Sequence, residues 1–181
     1  MLKLNGMKIA ILVANGFEQV ELEKPREALE KEGATIFVIS PEENKVQGWN
    51  HFDKGDFFKV DIALANANAG EYDALLLPGG VINPDTLRTL PKAIEFIKEI
   101  NKKNKPIAAI CHGPWTLINA GAVKNHKVTS WVSIKCDLQN AGAEWVDEPV
   151  VRDKNLVTSR KPDDIPQFNE AMISLFASHK P

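Results

Sequence analysis

The sequence has few cysteines, one tyrosine, no excess of charge of either sign and no long hydrophobic run. Two cysteines in 181 residues cannot form a disulfide framework, so we expect a reducing compartment, the cytoplasm. The 22 Lys and Arg residues nearly balance the 24 Asp and Glu residues, which argues against nucleic acid or an anionic membrane as the main partner. No apolar run approaches the ~18 residues that a membrane span requires, so no membrane association is expected.

The length and the hydrophobic content of 44% predict a single domain over residues 1–181 with a sizeable core. Lys3 precedes a short apolar run, as in a signal peptide, but the run has no convincing cleavage site and is predicted as the first strand. Met7 would itself serve as a start of the domain. Residues 1–6 are therefore predicted to be a dispensable lead-in.

Apolar strands alternate with helical patterns along the chain. Buried strands separated by helices predict a mostly parallel sheet covered on both faces, with ligands at the carboxyl ends of the strands. Residues 41–68 are mostly polar and are predicted to be irregular, with short strands at 45–46 and 57–62. The main predicted strands cover 8–13, 35–40, 74–77, the run before Cys111, 128–131, 144–146, 150–151 and 156–158, and the helices 18–31, 91–101, 115–120 and 162–178.

The most informative segment is the apolar run that ends at Cys111 and is followed by a helical stretch. Ala109 and Gly113 flank the cysteine at two positions before and after it, which is the spacing of a nucleophile elbow. A thiol at a helix N-terminus is expected to have a lowered pKa, because the partial positive charge there favours thiolate. We therefore predict that Cys111 is a nucleophile.

Three strand ends are predicted to meet at one edge of the sheet, and they carry residues 16–18, 78–80 and 111–113. A cysteine nucleophile needs an oxyanion site and a group that handles protons. Gly79 and Gly80 supply flexible backbone, and the amides of Gly80 and His112 are the natural oxyanion donors. Glu18 next to a thiolate is expected to have a raised pKa and to donate a hydrogen bond to sulfur as the neutral acid.

These segments resemble the ThiJ/PfpI family, and in particular its PfpI-type stress proteins. The resemblance extends in order over nearly the whole chain, through residues 15–18, 76–80 with 83–85, 105–115, 129–131 and 158–162. It implies a flavodoxin-like three-layer α/β/α sandwich of the class I glutamine amidotransferase type. It further implies a homodimer or larger homo-oligomer without metal or organic cofactor.

The resemblance also implies functional roles for matched positions. Cys111 corresponds to the nucleophile, Glu18 to its hydrogen-bond partner and His112 to the neighbouring histidine. In protease-like members an acidic residue of the adjoining subunit orients that histidine, and Asp85 stands at the matching position. Aspartate has a shorter reach than the glutamate also found there.

Several of these residues have a simpler structural interpretation. The side chain of His112 need not pair with Cys111 within one subunit, because adjacent residues on a helix do not face one another. Asp85 is equally consistent with a helix N-cap, and Arg160 either lines the substrate pocket or pairs with Asp163 or Asp164. Cys136 has no motif around it and is predicted to be inert.

Three functions remain open from the sequence. The first is an enzyme that acts on reactive carbonyls, methylglyoxal or its early adducts, in which the thiol attacks the aldehyde and Glu18 moves a proton between neighbouring carbons. The second is an intracellular cysteine peptidase that uses Cys111, His112 and a partner subunit's Asp85 on peptide substrates. The third is a redox sensor or chaperone. Glutamine amidotransferase activity is not expected, because no histidine after Cys111 is followed two residues later by glutamate.

Overall fold

Strands and helices alternate through residues 2–180, which are described by a computed structural model. The helices are α1 (Gln19–Lys31), α2 (Ile82–Arg88), α3 (Pro91–Lys102), α4 (Pro114–Asn119), α5 (Lys135–Asn140) and α6 (Ile165–Ser178). The strands are β1 (Lys8–Leu12), β2 (Phe17–Glu18), β3 (Thr35–Ser40), β4 (Lys45–Asn50), β5 (Asp53–Lys59), β6 (Ile62–Ala63), β7 (Ala74–Leu77), β8 (Ile107–Ile110), β9 (Lys127–Val128), β10 (Glu144–Trp145), β11 (Val150–Asp153) and β12 (Leu156–Ser159).

Seven of these strands form one sheet in the order β11-β12-β8-β7-β1-β3-β6. The pairs of the sheet are parallel except β11 with β12, which are antiparallel. Side chains of the central strands alternate between two hydrophobic clusters: Ile9 and Ile11 face α1 and α6, whereas Ala10 and Leu12 face the side of α2, α3, α4 and α5. The protein is thus the predicted α/β/α sandwich, with both sheet faces buried because strands of a parallel sheet are covered by their crossover helices.

The parallel arrangement brings the carboxyl ends of β1, β7 and β8 to the same edge of the sheet. The carboxyl end of β8 leads directly into Cys111, and that of β7 leads into the segment 78–80. The predicted convergence at this edge is therefore confirmed. It follows from topology alone, since neighbouring parallel strands end on one side.

Two parts of the chain differ from the predicted elements. Residues 41–68 contain a hairpin, in which β4 pairs antiparallel with β5 and β2 adds parallel to β4. The helices α2 and α5 were not predicted; each is at most seven residues long, and such short segments show little apolar periodicity. Predicted strand 128–131 is shortened to β9, and the following residues form a turn.

The first residues of the described chain take part in the core. Leu4 is fully buried and lies in the hydrophobic cluster that includes Met7 and Leu29. Its backbone amide donates to the carbonyl of Glu32 at 2.9 Å. Residues 1–6 thus contribute a buried side chain and a backbone hydrogen bond, and that they are dispensable stays a prediction. Among residues 2–180, no helix combines the length and the apolar character needed to cross a bilayer.

Candidate active site

The segment at the end of β8 turns sharply at Cys111. The backbone of this residue has φ of +62°, a left-handed conformation that is uncommon for a residue with a side chain. Two hydrogen bonds hold it there: its amide donates to the Ser159 carbonyl at 3.0 Å, and its carbonyl accepts from the Trp131 amide at 2.9 Å. A neighbouring strand and a loop thus stabilise a strained turn that presents the thiol.

Gly113 shows why the turn needs a small residue two positions after the cysteine. A Cβ atom at this position would collide with the carbonyl oxygen of Leu77 and lie 2.9 Å from that of Ile110. The spacing that predicted a nucleophile elbow therefore corresponds to a real steric limit at Gly113.

Cys111 is 8% exposed and lies at the base of a cavity of about 230 Å³. The backbone amides of His112 and Gly80 lie near its sulfur and favour the thiolate. These are the two amides expected to stabilise an oxyanion. The other residues that line the cavity are Glu18, Glu21, His51, Phe52, Val81, Trp131 and Pro162.

The carboxyl group next to the thiol belongs to Glu21, not to Glu18. Glu21 is fully buried and lies within hydrogen-bond reach of the Cys111 sulfur. Its Oε2 accepts from the Gly79 amide at 2.7 Å, and its Oε1 has no hydrogen-bond partner among the described residues. The assignment of Glu18 as the hydrogen-bond partner of the thiol is therefore corrected.

The motif indicates the first acid after the glycine turn, which is Glu18, and does not distinguish Glu21. The helical pattern itself carried a signal: Glu21 lies on the buried stripe of α1, next to Leu22 and four and eight residues before Pro25 and Leu29. An acid on an apolar stripe is costly unless it has a partner or a function. That criterion distinguishes Glu21 from the acids on the outer face of α1.

Burial determines the protonation of the pair. It raises the pKa of Glu21 to about 8, against the opposing effect of the Gly79 amide, so the carboxyl keeps its proton at neutral pH. Burial also raises the pKa of the Cys111 thiol, and a charged Glu21 adds to this, whereas the amides of His112 and Gly80 lower it. The predicted lowering of the thiol pKa is therefore wrong, because desolvation of the sulfur outweighs the local dipoles. The predicted neutral acid is present, but it is Glu21.

Glu18 lines the cavity and accepts a hydrogen bond from the hairpin at its mouth. Its Oε2 accepts from the His51 backbone amide at 3.1 Å and lies 4.0 Å from the Nδ1 atom of that residue. His51 and Phe52 form the tip of the β4–β5 hairpin. The Glu18 carboxylate thus connects the start of α1 to the hairpin at the mouth of the cavity.

The side chain of His112 does pair with Cys111 within one chain. Its Nδ1 lies 3.3 Å from the sulfur, and its Nε2 lies 3.1 Å from the hydroxyl of Ser133. Adjacent residues on a helix would point apart, but α4 begins only at Pro114, and Cys111 has a positive φ, so the two side chains can meet. Burial lowers the pKa of His112, which favours the neutral imidazole.

The remaining predicted site residues have other roles in the structure. The Gly79 amide is already donated to Glu21 and is not an oxyanion donor, unlike that of Gly80. Arg160 does not line the cavity, because its guanidinium makes a bidentate pair with Asp164 at 2.9 and 3.1 Å and a further contact with Asp147 at 2.8 Å.

Asp85 is exposed on α2, and within the chain it forms no hydrogen bond or ion pair with His112. Cys136 is exposed on α5, where it is 3.6 Å from the side-chain nitrogen of Asn140. Among residues 2–180, no three potential metal ligands from His, Cys, Asp and Glu come together.

Known proteins match this chain over nearly its whole length. A model of the DJ-1/PfpI family matches residues 7–175. Deglycase PfpI from Pyrococcus furiosus is 41% identical over 169 residues, which cover 93% of this chain and 99% of the relative. YraA from Bacillus subtilis, which bears a provisional cysteine protease name, is 41% identical over 168 residues, with 93% and 97% covered. A solved two-domain protein from Anabaena variabilis, with DJ-1/ThiJ/PfpI-like and ferritin-like domains, has a TM-score of 0.88 at 33% identity, covering 97% of this chain and 50% of that one.

Proposed function

Because this chain belongs to the DJ-1/PfpI family, we propose that it is a cysteine-dependent enzyme that acts on reactive carbonyls, either methylglyoxal or its early adducts on amines and thiols. The observation that carries the proposal is the buried, protonated Glu21 next to the Cys111 sulfur. A deglycase relative at 41% identity supports the same chemistry.

The first step is the addition of the thiol to the aldehyde carbon of methylglyoxal. A carbon–sulfur bond forms, the thiol proton moves to His112 Nδ1 at 3.3 Å, and from there it reaches the former carbonyl oxygen. The product is a hemithioacetal. The amides of Gly80 and His112 stabilise the negative charge that develops on the oxygen during the addition.

The second step moves hydrogen between the two carbons. The Glu21 carboxylate takes the proton from the carbon bound to sulfur, and the bonding electrons form an enediolate. The protonated Glu21 then returns the proton to the neighbouring carbon, while the hydroxyl proton moves to the second oxygen, which leaves a thioester. With a pKa of about 8, Glu21 is mostly protonated at neutral pH and the minor ionised fraction is the form that accepts the proton from carbon.

In the last step, water hydrolyses the thioester, which releases lactate and restores the thiol. The overall reaction adds one water to methylglyoxal, while the aldehyde carbon is oxidised and the ketone carbon is reduced. No external oxidant or reductant is therefore needed. A cavity of about 230 Å³ suits a three-carbon substrate, since pockets for larger ligands begin at about 300 Å³.

The test compares wild type with Cys111→Ala and uses Cys136→Ser as the matched control, because Cys136 is the exposed cysteine outside the cavity. We expect Cys111→Ala to reduce lactate formation from methylglyoxal by at least about a hundredfold, and Cys136→Ser to stay near wild type. In a buffer without amines or added thiols no adducts form, so lactate formation there reports action on free methylglyoxal. Casein cleavage without lactate formation, or a peroxide-driven mass gain at Cys111 without turnover, would contradict the proposal.

An intracellular cysteine peptidase is the second candidate. It is favoured by the contact of His112 Nδ1 with the Cys111 sulfur at 3.3 Å and by the protease name of YraA. In the triad that the family resemblance implies, Asp85 of a second subunit would stand behind the histidine. Its signature would be casein cleavage that is lost in Cys111→Ala and falls when the protein is diluted below its assembly concentration.

A further inference from the structure

Ser133 occupies the position behind the histidine that an orienting group would take. Its hydroxyl lies 3.1 Å from His112 Nε2, while the opposite ring nitrogen lies 3.3 Å from the Cys111 sulfur. The three side chains therefore form a line from hydroxyl through imidazole to thiol. Ser133 lies in a short 3-10 turn (Val132–Ile134) that carries no recognised motif.

The turn that carries Ser133 is attached to the nucleophile elbow itself. The Trp131 amide donates to the Cys111 carbonyl at 2.9 Å, and the Trp131 ring stacks on His112 with centroids 6.1 Å apart. The Trp115 ring meets His112 edge-on at 5.7 Å. The imidazole is thus confined on two sides, and Ser133 is the polar group at its outer nitrogen.

The contact with Ser133 bears on which nitrogen carries the proton. A neutral imidazole has one N–H donor and one acceptor nitrogen, and a hydroxyl can accept from the first or donate to the second, so the contact holds the ring and is compatible with both tautomers. If Nε2–H donates to the Ser133 hydroxyl, Nδ1 has a free lone pair that faces the thiol. In that tautomer His112 can take the thiol proton; in the other it cannot.

We propose that Ser133 is a positioning residue that holds His112 in the Nε2–H tautomer, so that a cysteine–histidine pair is complete within one subunit. The proposal rests on the proposed role of Cys111 as a nucleophile but not on the identity of the substrate. It makes an acidic residue of a second subunit unnecessary for orienting the imidazole, since the outer nitrogen already has a partner.

Other ionisable groups around Cys111 and His112 could also influence the pH profile of the thiol. Glu21 contacts the sulfur, and Glu18 and His51 line the same cavity. One layer further out, the Arg88 guanidinium lies 4.9 Å from the Trp115 ring centroid, and Asp137 accepts from the indole nitrogen at 2.7 Å. Of these groups, none contacts Nε2, so the loss of the Ser133 hydroxyl is a selective perturbation.

The primary test is the pH profile of Cys111 alkylation by iodoacetamide, read by peptide mass spectrometry in the Cys136→Ser background. We expect Ser133→Ala to slow alkylation at neutral pH by about tenfold and to move the inflection to higher pH, because the imidazole no longer receives the thiol proton efficiently. Ser133→Thr keeps the hydroxyl and is expected to restore most of the rate. Ser174→Ala, which removes an exposed serine bound to Arg152, is the matched control and should retain the wild-type profile.

A second measurement needs no variant at the site. Nitrogen NMR of the wild-type imidazole should show the proton on Nε2, and Ser133→Ala should show a mixture of tautomers. A wild-type proton on Nδ1, a Ser133→Ala profile equal to wild type, or a Ser133→Thr profile equal to that of alanine would each overturn the proposal. So would an Asp85→Asn variant that shifts the profile when Ser133→Ala does not.

Alkylation also separates this proposal from the proposed function. If the enzyme does not act on carbonyls, lactate formation will be absent in every variant, yet the alkylation shift in Ser133→Ala will remain. If only the role of Ser133 is wrong, lactate formation and alkylation will both be unaffected by Ser133→Ala.

Discussion

The Glu21 carboxyl is fully buried between the Gly79 amide and the Cys111 thiol. Its pKa of about 8 makes it an acid at neutral pH, whereas Glu18, one turn earlier, binds a backbone amide at the cavity rim. Two carboxyl groups three residues apart thus have different roles because one is desolvated. This difference has a consequence for stability as well as for catalysis.

We expect Glu21→Gln to change how stability depends on pH. In the unfolded chain the carboxyl ionises near its ordinary pKa of 4.5, whereas in the folded protein it holds its proton up to pH about 8. The folded state therefore binds more protons in this window, and wild type loses roughly 1.4 kcal/mol of stability per pH unit as pH rises through it. Glutamine does not titrate, so the free energy of unfolding of wild type relative to Glu21→Gln should fall from pH 5 to pH 8.

Urea unfolding at four pH values measures this difference. Parallel stability curves for the two proteins would show that Glu21 titrates normally. The same variant is expected to lose lactate formation while Cys111 remains open to alkylation, since glutamine keeps the size of the side chain but cannot move a proton.

At the scale of elements, the β4–β5 hairpin forms the outer wall of the cavity. Phe52 at its tip is 93% exposed and lines the cavity. The hydrogen bond that the His51 backbone amide donates to the Glu18 carboxyl group holds the tip in place. An exposed aromatic ring at this place is positioned to contact the carrier of an adduct rather than a three-carbon aldehyde.

We therefore predict that Phe52→Ala raises KM for methylglyoxal adducts of bulky amines by about fivefold, the effect of losing a contact of about 1 kcal/mol, with kcat unchanged. Its KM for free methylglyoxal should stay at the wild-type value. Phe57→Ala is the control, because Phe57 is exposed on the same hairpin under Lys45 and does not line the cavity. Equal effects of the two substitutions would contradict a role of the hairpin tip in binding.

At the scale of the whole molecule, the segment before β1, residues 2–7, packs against one edge of the core. Leu4 is fully buried, its amide binds the Glu32 carbonyl, and the Met7 amide binds the Leu4 carbonyl at 3.0 Å. These contacts connect the segment to the end of α1. Removal of residues 1–6 would leave a cavity where Leu4 packs.

We expect a chain that starts at Met7 to be less stable by about 2–5 kcal/mol, the range for truncating a buried leucine. Chemical denaturation measures the loss, and Leu4→Ala should reproduce most of it. Leu2→Ala serves as the control, because Leu2 is half-exposed and its loss should cost no more than about 0.5 kcal/mol. An unchanged denaturation midpoint in the shortened chain would confirm that the segment is dispensable.

Some elements of this fold are visible as patterns in the sequence, and others are not. The continuous apolar run of β1 and the apolar stripe of α3 predicted those elements, because a strand buried on both faces is apolar throughout and a helix buried on one face is apolar periodically. The β4–β5 hairpin left only a weak trace, since most of β5 is exposed. The short helix α2 likewise depends on its packing more than on its own pattern.

The sequence by itself determined the sandwich, the family and the nucleophile elbow at Cys111, because a sharp turn between Ala109 and Gly113 is a local steric property of the backbone. Only the tertiary structure decided which groups meet the sulfur and its histidine. Glu21 reaches Gly79 across 58 positions of the chain, and Ser133 reaches His112 across 21. Such contacts depend on how α1 and the loop after β9 pack at the sheet edge, and local sequence patterns carry no record of that packing.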